Sequence, residues 1–447
     1  MPERRALFTR SLNKTYPVAV RGDGPWLWDS SDTRYLDFCA SAVVNFIGHG
    51  DQNINGVIAD QLQQLEFVHS SQFISEASAQ FAHEILDFAG PHFTGGAVFF
   101  TSGGSEAIET ALKVARQYQV EIGQSQRSQV LCRKQAYHGA TIGAMSLSDN
   151  RKRKEIYTPL LHEFPRVSTP YCYRCAYGCD HCAEKYAAEV DAALDQHGDS
   201  LAAFFFEPIS GATIGAAIPP DGYLQRVTEA CRAKGVLTVA DEVMTGFGRT
   251  GRNFAVDHWN VAPDLLVVGK GIASGYVPLG AVIASRKVVD AIAAGSGSLV
   301  HGFTYNAHPV ACAAGREVLR KTRMLVGEAL CEDTHRECPG TWMRNGLHRL
   351  RDHPSIGDVR GKGLLWAIEF VADKMTKSPF APSRNYSSYV AAAAMRRGVL
   401  TYPMQGCVDG INGDHLVLAP PATIAEEEIF WAIEQLSAAI HELESKG

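Results

Sequence analysis

The 447-residue sequence lacks the features that mark membrane proteins and nucleic-acid-binding proteins. No apolar stretch reaches the length that a bilayer span requires. The formal net charge is -6, so there is no basic surplus to neutralise a nucleic-acid backbone. The N-terminal segment has no apolar signal core, and the chain has no repeat or low-complexity tract. We therefore expect a soluble protein that binds neither nucleic acid nor membrane.

The remaining composition is that of an ordinary globular protein. Hydrophobic residues make up 46% and charged residues 20%, and the length favours two domains. The eleven cysteines, in the absence of a secretion signal, indicate reduced thiols and a cytoplasmic location. The one dense basic run, NRKRKE at residues 150–155, is short and is interpreted as a solvated turn or a helix end.

Short apolar runs alternate with helical patterns between about residues 96 and 284. The runs begin at Ala97, Gln129, Leu201, Gly235, Asp264 and Leu279. This alternation predicts an α/β fold, with a mostly parallel sheet covered by helices on both faces. After Val318 a long helix, several strand-like runs and a closing helix predict a smaller α+β domain. We assign residues 49–317 to the large domain, 318–447 to the small domain, and 1–48 to a segment that packs with the small domain.

Three ionisable residues stand where predicted parallel strands end. Glu207 and Asp241 close apolar runs, and Lys270 lies between two glycines just after the run LLVV. Polar groups at the carboxyl ends of such strands line the ligand crevice. Taken alone, each residue has a simpler explanation. Lys270 could extend into solvent, and a carboxylate at a strand end could cap a helix. Asp241 could also serve a metal or act as a base, but no metal-ligand spacing accompanies it.

Two glycine-containing turns add a phosphate site and a stacking surface to this list. The stretch FFTSGGSEA places Gly104 and Ser105 at the start of a helix, where free amides favour an anion, although an ordinary capped helix would look the same. In KQAYHGAT, Tyr137 and His138 precede a glycine, and Tyr137 is suited either to a flat ligand or to a core position. An amine, a carboxylate, an aromatic surface and a phosphate cup together are what pyridoxal 5'-phosphate requires.

In these segments the chain resembles the class III (omega) aminotransferases, whose fold is the pyridoxal-phosphate-dependent transferase fold type I. The resemblance runs nearly end to end. It rests on these motifs, in this order: YLDFCASAVVNFIGHG, SGGSEAIETALKVAR, YHGAT, FEPISGATIGAAIPPDGYL, DEVMTGFGRTG, PDLLVVGKGIASGYVPLGAVIAS, FTYNAHPVACAAG and VRGKGLLWAIEFV.

The resemblance implies a role for each matching residue. Lys270 would form the internal aldimine with the cofactor, and Asp241 would pair with the pyridinium nitrogen. Tyr137 and Val243 would cover the two faces of the ring. The other implied cofactor residues are Gly104, Ser105, His138, Glu207 and Thr304. Thr304 would reach the phosphate of the neighbouring subunit, so a homodimer is the expected active unit.

The implied reaction is ping-pong transfer of an amino group from an amine or omega-amino donor to a keto acid or aldehyde. Lys270 would be both the covalent anchor and the proton shuttle, with a pKa depressed by burial. A decarboxylase, racemase or aminomutase of the same family would need the same Lys270 and Asp241, so these remain alternatives. The donor, the acceptor and the pathway are not specified by the sequence.

Two segments depart from the family pattern. Val417 stands where many members carry an arginine for an α-carboxylate, which argues against a plain α-amino acid donor. The motif CxxC-x3-CxxC, formed by Cys172, Cys175, Cys179 and Cys182, suggests either zinc or an iron–sulfur cluster, or simply a loop of reduced thiols.

Overall fold

The structure is a computed structural model that describes residues 6–175, 177–178, 181–328 and 337–444. Fourteen strands form three sheets within these residues. Their bounds are β1 (Ala19–Asp23), β2 (Trp26–Asp29), β3 (Arg34–Leu36), β4 (Ala97–Thr101), β5 (Gln129–Arg133), β6 (Arg166–Val167), β7 (Leu201–Phe206), β8 (Leu237–Asp241), β9 (Leu265–Val268), β10 (Gly280–Ala284), β11 (Ile356–Lys362), β12 (Leu365–Phe370), β13 (Tyr402–Gln405) and β14 (Asp414–Leu418).

The helices include one single turn and several long elements that pack on the sheets. Their bounds are α1 (Ala40–Val43), α2 (Gln52–Gln64), α3 (Glu76–Ala89), α4 (Gly104–Glu121), α5 (Ile142–Leu147), α6 (Arg151–Lys154), α7 (Cys182–His197), α8 (Tyr223–Ala233), α9 (Arg286–Ala294), α10 (Pro309–Glu328), α11 (Pro339–His348), α12 (Tyr386–Arg396) and α13 (Glu426–Glu444). The residues of α1 have positive φ angles, so this element is a left-handed turn.

The largest sheet has seven strands in the order β4-β10-β9-β8-β7-β5-β6. The pairs from β9 through to β6 are parallel, and β10 is antiparallel to both β4 and β9. The predicted α/β class, with a mostly parallel sheet, is therefore confirmed. The short strand β6 at the edge has no counterpart among the predicted runs.

Both faces of this sheet are buried, which explains the uninterrupted apolar runs. In β9, Leu266 and Val268 belong to one core cluster, whereas Leu265 and Val267 belong to another. In β7, Phe204 and Phe206 likewise face the first cluster and Phe205 the second. Successive side chains of a strand point to opposite faces, so an apolar residue is needed at every position.

The ends of the chain meet in a separate hydrophobic cluster. Leu36 and Phe38 of the N-terminal segment are fully buried in it, together with residues of α12, α13 and the four-stranded sheet β11-β12-β14-β13. Within the described residues, no helix combines the length and the apolar character that crossing a bilayer would require.

A buried ion network connects the C-terminal sheet to the large sheet's loops. Glu369 of β12 is fully buried and accepts hydrogen bonds of 2.8 Å from Arg360 and 2.6 Å from Arg174. Arg360 also donates to the carbonyl oxygen of Gly215, at 2.6 Å. Burial alone would raise the pKa of Glu369, but the two guanidinium groups hold it below its usual value.

We expect Glu369→Ala to lower the free energy of unfolding by about 3–5 kcal/mol, because two largely buried guanidinium groups lose their carboxylate. Asp290 provides a control, since its ion pair with Arg286 is exposed on both sides. We expect Asp290→Ala to cost less than about 1 kcal/mol. Urea denaturation of the three proteins measures both effects, and equal losses in the two variants would contradict the assigned role of Glu369.

Candidate active site

The carboxyl ends of β7, β8 and β9 meet at one edge of the central sheet. Glu207 follows β7, Asp241 is the last residue of β8, and Lys270 stands two residues after β9. The three strands are adjacent and parallel, so their ends lie side by side. The charges of Asp241 and Glu207 both act on the amine of Lys270. The sheet thus gathers the three ionisable residues that the sequence places at strand ends.

The amine of Lys270 is held in an unusual local geometry. Its backbone φ is 44°, and its Nζ donates a hydrogen bond of 3.1 Å to the carbonyl oxygen of Ala42. Burial lowers the pKa of Lys270 to about 8, although the carboxylates of Asp241 and Glu207 act in the opposite direction. An amine with this pKa is partly neutral at physiological pH, so it can accept a proton there.

The carboxylate of Asp241 is fixed by two groups. Nδ1 of His138 lies 2.7 Å from Oδ2 of Asp241, and both side chains are buried. The amide of Val243 donates to the other oxygen, Oδ1, at 3.1 Å. His138 is itself held, because its amide donates to Oγ of Ser148 at 2.7 Å. His138 and the amide of Val243 therefore hold Asp241 in one orientation.

The carboxylate of Glu207 binds backbone amides. It accepts hydrogen bonds from the amide of Gly211 at 2.9 Å and from that of Tyr137 at 3.3 Å. Burial raises its pKa, and the nearby charge of Asp241 adds to that effect. Glu207 thereby positions the loop that carries Tyr137, which is a role the sequence did not indicate.

The start of α4 lies close to the loop that carries Tyr137 and to the end of β9. The intrahelical bonds of α4 begin with the amide of Ala107, so the amides of Gly104 and Ser105 precede the first of them. A Cβ added to Gly104 would lie 3.0 Å from Val243, and one added to Gly139 would lie 2.5 Å from Oγ of Ser105. These glycines permit contacts that any side chain would obstruct.

Tyr137 is covered by an arginine that the sequence analysis did not single out. The guanidinium group of Arg153 lies 5.0 Å from the centroid of the Tyr137 ring. It also donates to the hydroxyl of Tyr402 at 3.4 Å. Arg153 belongs to the basic run, which was interpreted as solvated, and its neighbours Arg151 and Lys152 are indeed exposed. No local signal separates Arg153 from them, because its neighbours come from distant segments.

Val417 is fully buried in the hydrophobic core and pairs with Tyr402 across β13 and β14. It has no exposed surface to offer a ligand. Its neighbour on strand β13 is Tyr402, and the side chain of Tyr402 contacts Arg153.

Thr304 lies apart from the other predicted site residues in its own chain. It is exposed, in a surface groove that is also lined by His69, Ser70, His301 and Asn306. Seven of the remaining eight predicted residues are connected by the contacts given above, and the eighth, Lys270, interacts electrostatically with Asp241 and Glu207.

The cysteine motif is described only in part, because Cys179 lies outside the described residues. Cys182 opens α7, and Cys172, Cys175 and Cys182 all belong to the first core cluster or pack against it. The thiol of Cys175 donates to the carbonyl oxygen of Gly178 at 3.2 Å. The three described thiols do not form a set of metal ligands by themselves.

Comparison with known proteins gives one consistent result. The family described as aminotransferase class III matches residues 8–440. An uncharacterized aminotransferase of Bacillus subtilis, YodT, is 38% identical over 441 residues, which cover 98% of each chain.

Solved structures show the same similarity in three dimensions. A thermostable (S)-enantioselective omega-transaminase from Thermomicrobium roseum is 33% identical, with a TM-score of 0.89, over 98% of this chain and 96% of that one. An amine transaminase from an uncultivated Pseudomonas species, in its PLP-bound internal aldimine form, is 31% identical, with a TM-score of 0.88, over 98% of each chain.

The pKa of Lys270 generates a test on protein freed of bound small molecules. We expect an amine-directed reagent to modify Lys270 with a pH midpoint near 8. Because the charge of Asp241 raises the pKa of Lys270, Asp241→Asn should move this midpoint downward. Mass spectrometry of the modified peptides gives both midpoints, and an unchanged or raised midpoint in the variant would be inconsistent with this arrangement.

Proposed function

The chain belongs to the class III aminotransferases, and on that premise we propose that Lys270 and Asp241 carry its reaction with pyridoxal 5'-phosphate as cofactor. The proposed substrates are an amine or omega-amino donor and a keto acid or aldehyde acceptor. The observation that carries the proposal is the convergence of Lys270, Asp241 and the start of α4 at one sheet edge.

The residues present fit the cofactor. Gly104 and Gly269 pack against each other, with a Cβ on Gly269 3.4 Å from the Cα of Gly104. The amides of Gly104 and Ser105 precede the first intrahelical hydrogen bond of α4, so they can bind a phosphate group. Tyr137 offers an aromatic face and Val243 an apolar one. Lys270 supplies an amine for the aldehyde, and Asp241 an anion for the ring nitrogen.

Pyridoxal phosphate, when bound, supplies an aldehyde that condenses with amines and a ring that takes up the electron pair left on the substrate carbon. The chain's own groups prepare this chemistry. His138 and the amide of Val243 keep Asp241 oriented, and its negative charge favours a protonated ring nitrogen. Lys270 would accept and release a proton at Nζ, because a pKa of about 8 lets both forms of the amine exist near neutral pH.

An amine donor without an α-carboxylate fits the site better than an ordinary α-amino acid. Val417, the position where an arginine would hold that carboxylate, is an apolar core residue without exposed surface. Both oxygens of Glu207 bind backbone amides, so this carboxylate serves the Tyr137 loop. The omega-transaminase and amine transaminase structures described above agree with such a donor.

Arg153 is the proposed binding group for the carboxylate of a keto acid acceptor. It lies over Tyr137 and beside Tyr402, and no acidic side chain of the described ranges forms an ion pair with it. A half-buried guanidinium group without an acidic partner is suited to a carboxylate ligand. Arg153 would thus bind the carboxylate of the acceptor, whereas a donor without a carboxylate needs no such group.

A homodimer is proposed as the active unit, with Thr304 reaching the partner's cofactor phosphate. Four large apolar side chains near Thr304, Phe73, Ile74, Val300 and Tyr305, are each between 60% and 82% exposed. A second copy of the chain would cover this patch. We expect light scattering to give the mass of a dimer, and Tyr305→Glu to give monomers that lose the cofactor. A stable and fully active monomer would contradict the proposal.

The proposed roles of Lys270 and Asp241 have a direct test. Borohydride reduction should fix a pyridoxyl group on Lys270, and Lys270→Ala should lower turnover at least about 10²-fold. Asp241→Asn should keep the cofactor but lose orders of magnitude in rate, whereas Lys152→Ala, an exposed control, should behave as the native protein. Peptide mapping locates the label.

Product identification decides between transamination and the alternative reactions. We expect nitrogen-15 from a labelled terminal amine to appear in the amino acid formed from the keto acid. Release of carbon dioxide or racemisation of a single substrate, without this transfer, would instead favour a decarboxylase or racemase. A clearly higher kcat/KM with ordinary α-amino acids than with terminal amines of similar size would contradict the proposed donor.

Removal of the Arg153 charge should affect only the acceptor half of the reaction. We expect Arg153→Ala to raise the KM for pyruvate about 10- to 150-fold, which corresponds to the loss of a charge-assisted hydrogen bond worth about 1.5–3 kcal/mol. The single-turnover rate with an amine that has no carboxylate should stay within about twofold of native. Arg151→Ala, two residues away in the same short helix and exposed, is the control. Equal effects on both half-reactions would rule out this role.

A further inference from the structure

Three side chains that could bind a metal ion lie together at the end of the C-terminal helix, far from Lys270 along the chain. His441 and Glu444 occupy the last turn of α13, and His353 lies in the turn just before β11. One ligand atom from each of the three residues lies within 4.8 Å of the other two. We infer that His353, His441 and Glu444 form a binding site for a divalent transition-metal ion, with zinc as the best match.

The distances fit a tetrahedral metal centre. Oε2 of Glu444 is 3.2 Å from Nδ1 of His441 and 3.5 Å from Nδ1 of His353. Zinc binds imidazole nitrogen and carboxylate oxygen at about 2.0–2.2 Å, and the edges of such a tetrahedron are about 3.4 Å long. Two of the three separations between ligand atoms are therefore already close to the edge length of such a tetrahedron, and the third is at most 4.8 Å.

The buried nitrogen of His353 provides independent support. His353 is only 7% exposed, and its buried Nδ1 has no close hydrogen-bond partner among the described residues, since Oε2 of Glu444 lies 3.5 Å away. Leaving a buried polar atom unsatisfied is costly, so it calls for a ligand.

The surrounding groups hold the ligands in the required orientation. Nε2 of His353 lies 2.9 Å from Oγ of Ser437, and this contact fixes the orientation of the imidazole ring. The second oxygen of Glu444 accepts hydrogen bonds from the hydroxyl and the amide of Ser355, at 2.7 and 3.3 Å. Such supporting contacts are typical of metal sites.

The local electrostatics also suit a cation. The carboxylate of Glu444 places a negative charge beside both imidazole rings. A neutral imidazole is the form that binds metals. The end of a helix carries a partial negative charge, so a cation at the last turn of α13 is stabilised further.

A tetrahedral ion held by these three ligands would keep its fourth coordination position open to water. His441, whose side chain is 66% exposed, lies on the solvent side of the site. A bound ion would connect α13 to the start of β11. Since α13 contributes Leu436 and Ile440 to the C-terminal core, the ion would hold that core together from its outer end.

Calorimetric titration tests the site on the full-length, cofactor-loaded protein after chelator treatment. We expect the native protein to bind one equivalent of zinc chloride per chain, and His441→Ala to weaken this binding at least tenfold. Glu444→Gln should have a similar effect, and Ser437→Ala should weaken binding about 10- to 100-fold. His197→Ala is the matched control, since His197 also ends a helix, α7, and should leave binding unchanged.

Cobalt substitution distinguishes this site from the cysteine motif. We expect a tetrahedral cobalt spectrum without the intense sulfur-to-metal bands that thiolates produce. Zinc should also raise the melting temperature of the native protein but not that of His441→Ala, while the activity of the two proteins stays the same. Thiolate bands, or native-like zinc affinity in His441→Ala, would overturn the inference.

Discussion

The parallel pairing of β7, β8 and β9 is the constraint on which the rest of the site depends. It places Glu207, Asp241 and Lys270 at one edge, although they are far apart along the chain. The strands are buried on both faces, so a shift of register by one residue would move every side chain into the opposite core cluster and disrupt the packing of both. The same burial removes water from Lys270 and lowers its pKa to about 8. The hydrophobic packing of the sheet therefore sets both the geometry and the acidity of the site.

The loop that carries Tyr137 is held to this edge by polar contacts from three sides. Glu207 binds its amide at Tyr137, Ser105 accepts a hydrogen bond of 3.0 Å from the amide of Ala140, and Ser148 binds the amide of His138. These contacts come from the end of β7, the start of α4 and the end of α5. A flat ligand at Tyr137 would thus meet a loop that is already ordered, which lowers the entropy cost of binding.

The sequence predicted the elements and residues whose signals are local. The apolar runs identify the strands, and the strand-end residues follow from the parallel sheet. Arg153 was missed because its contacts with Tyr137 and Tyr402 bring together segments that are distant in the sequence. The carbonyl group of Ala42 was missed for a different reason, since a backbone atom has no side-chain signal. Val417 was correctly recognised as apolar, but only the packing shows that it lies in the core.

The turn at Ala42 shows how both ends of the chain contribute to the site. Four successive residues, Ala40 to Val43, have positive φ angles, each of which costs roughly 1–2 kcal/mol for a residue with a side chain. The neighbouring contacts offset this cost. Ser274 accepts hydrogen bonds of 2.8 Å from the amides of Phe46 and Ile47.

Arg249 extends this support to the C-terminal sheet. Its buried guanidinium group donates to the carbonyl oxygens of Asn45 at 3.3 Å and Pro420 at 2.6 Å. Because these carbonyls belong to opposite ends of the chain, neither end can move without losing a bond to the same side chain. Without these contacts the strained turn would relax, and the Ala42 carbonyl would leave the amine of Lys270. The position of the lysine amine is therefore a property of the whole folded chain, which no short window of sequence contains.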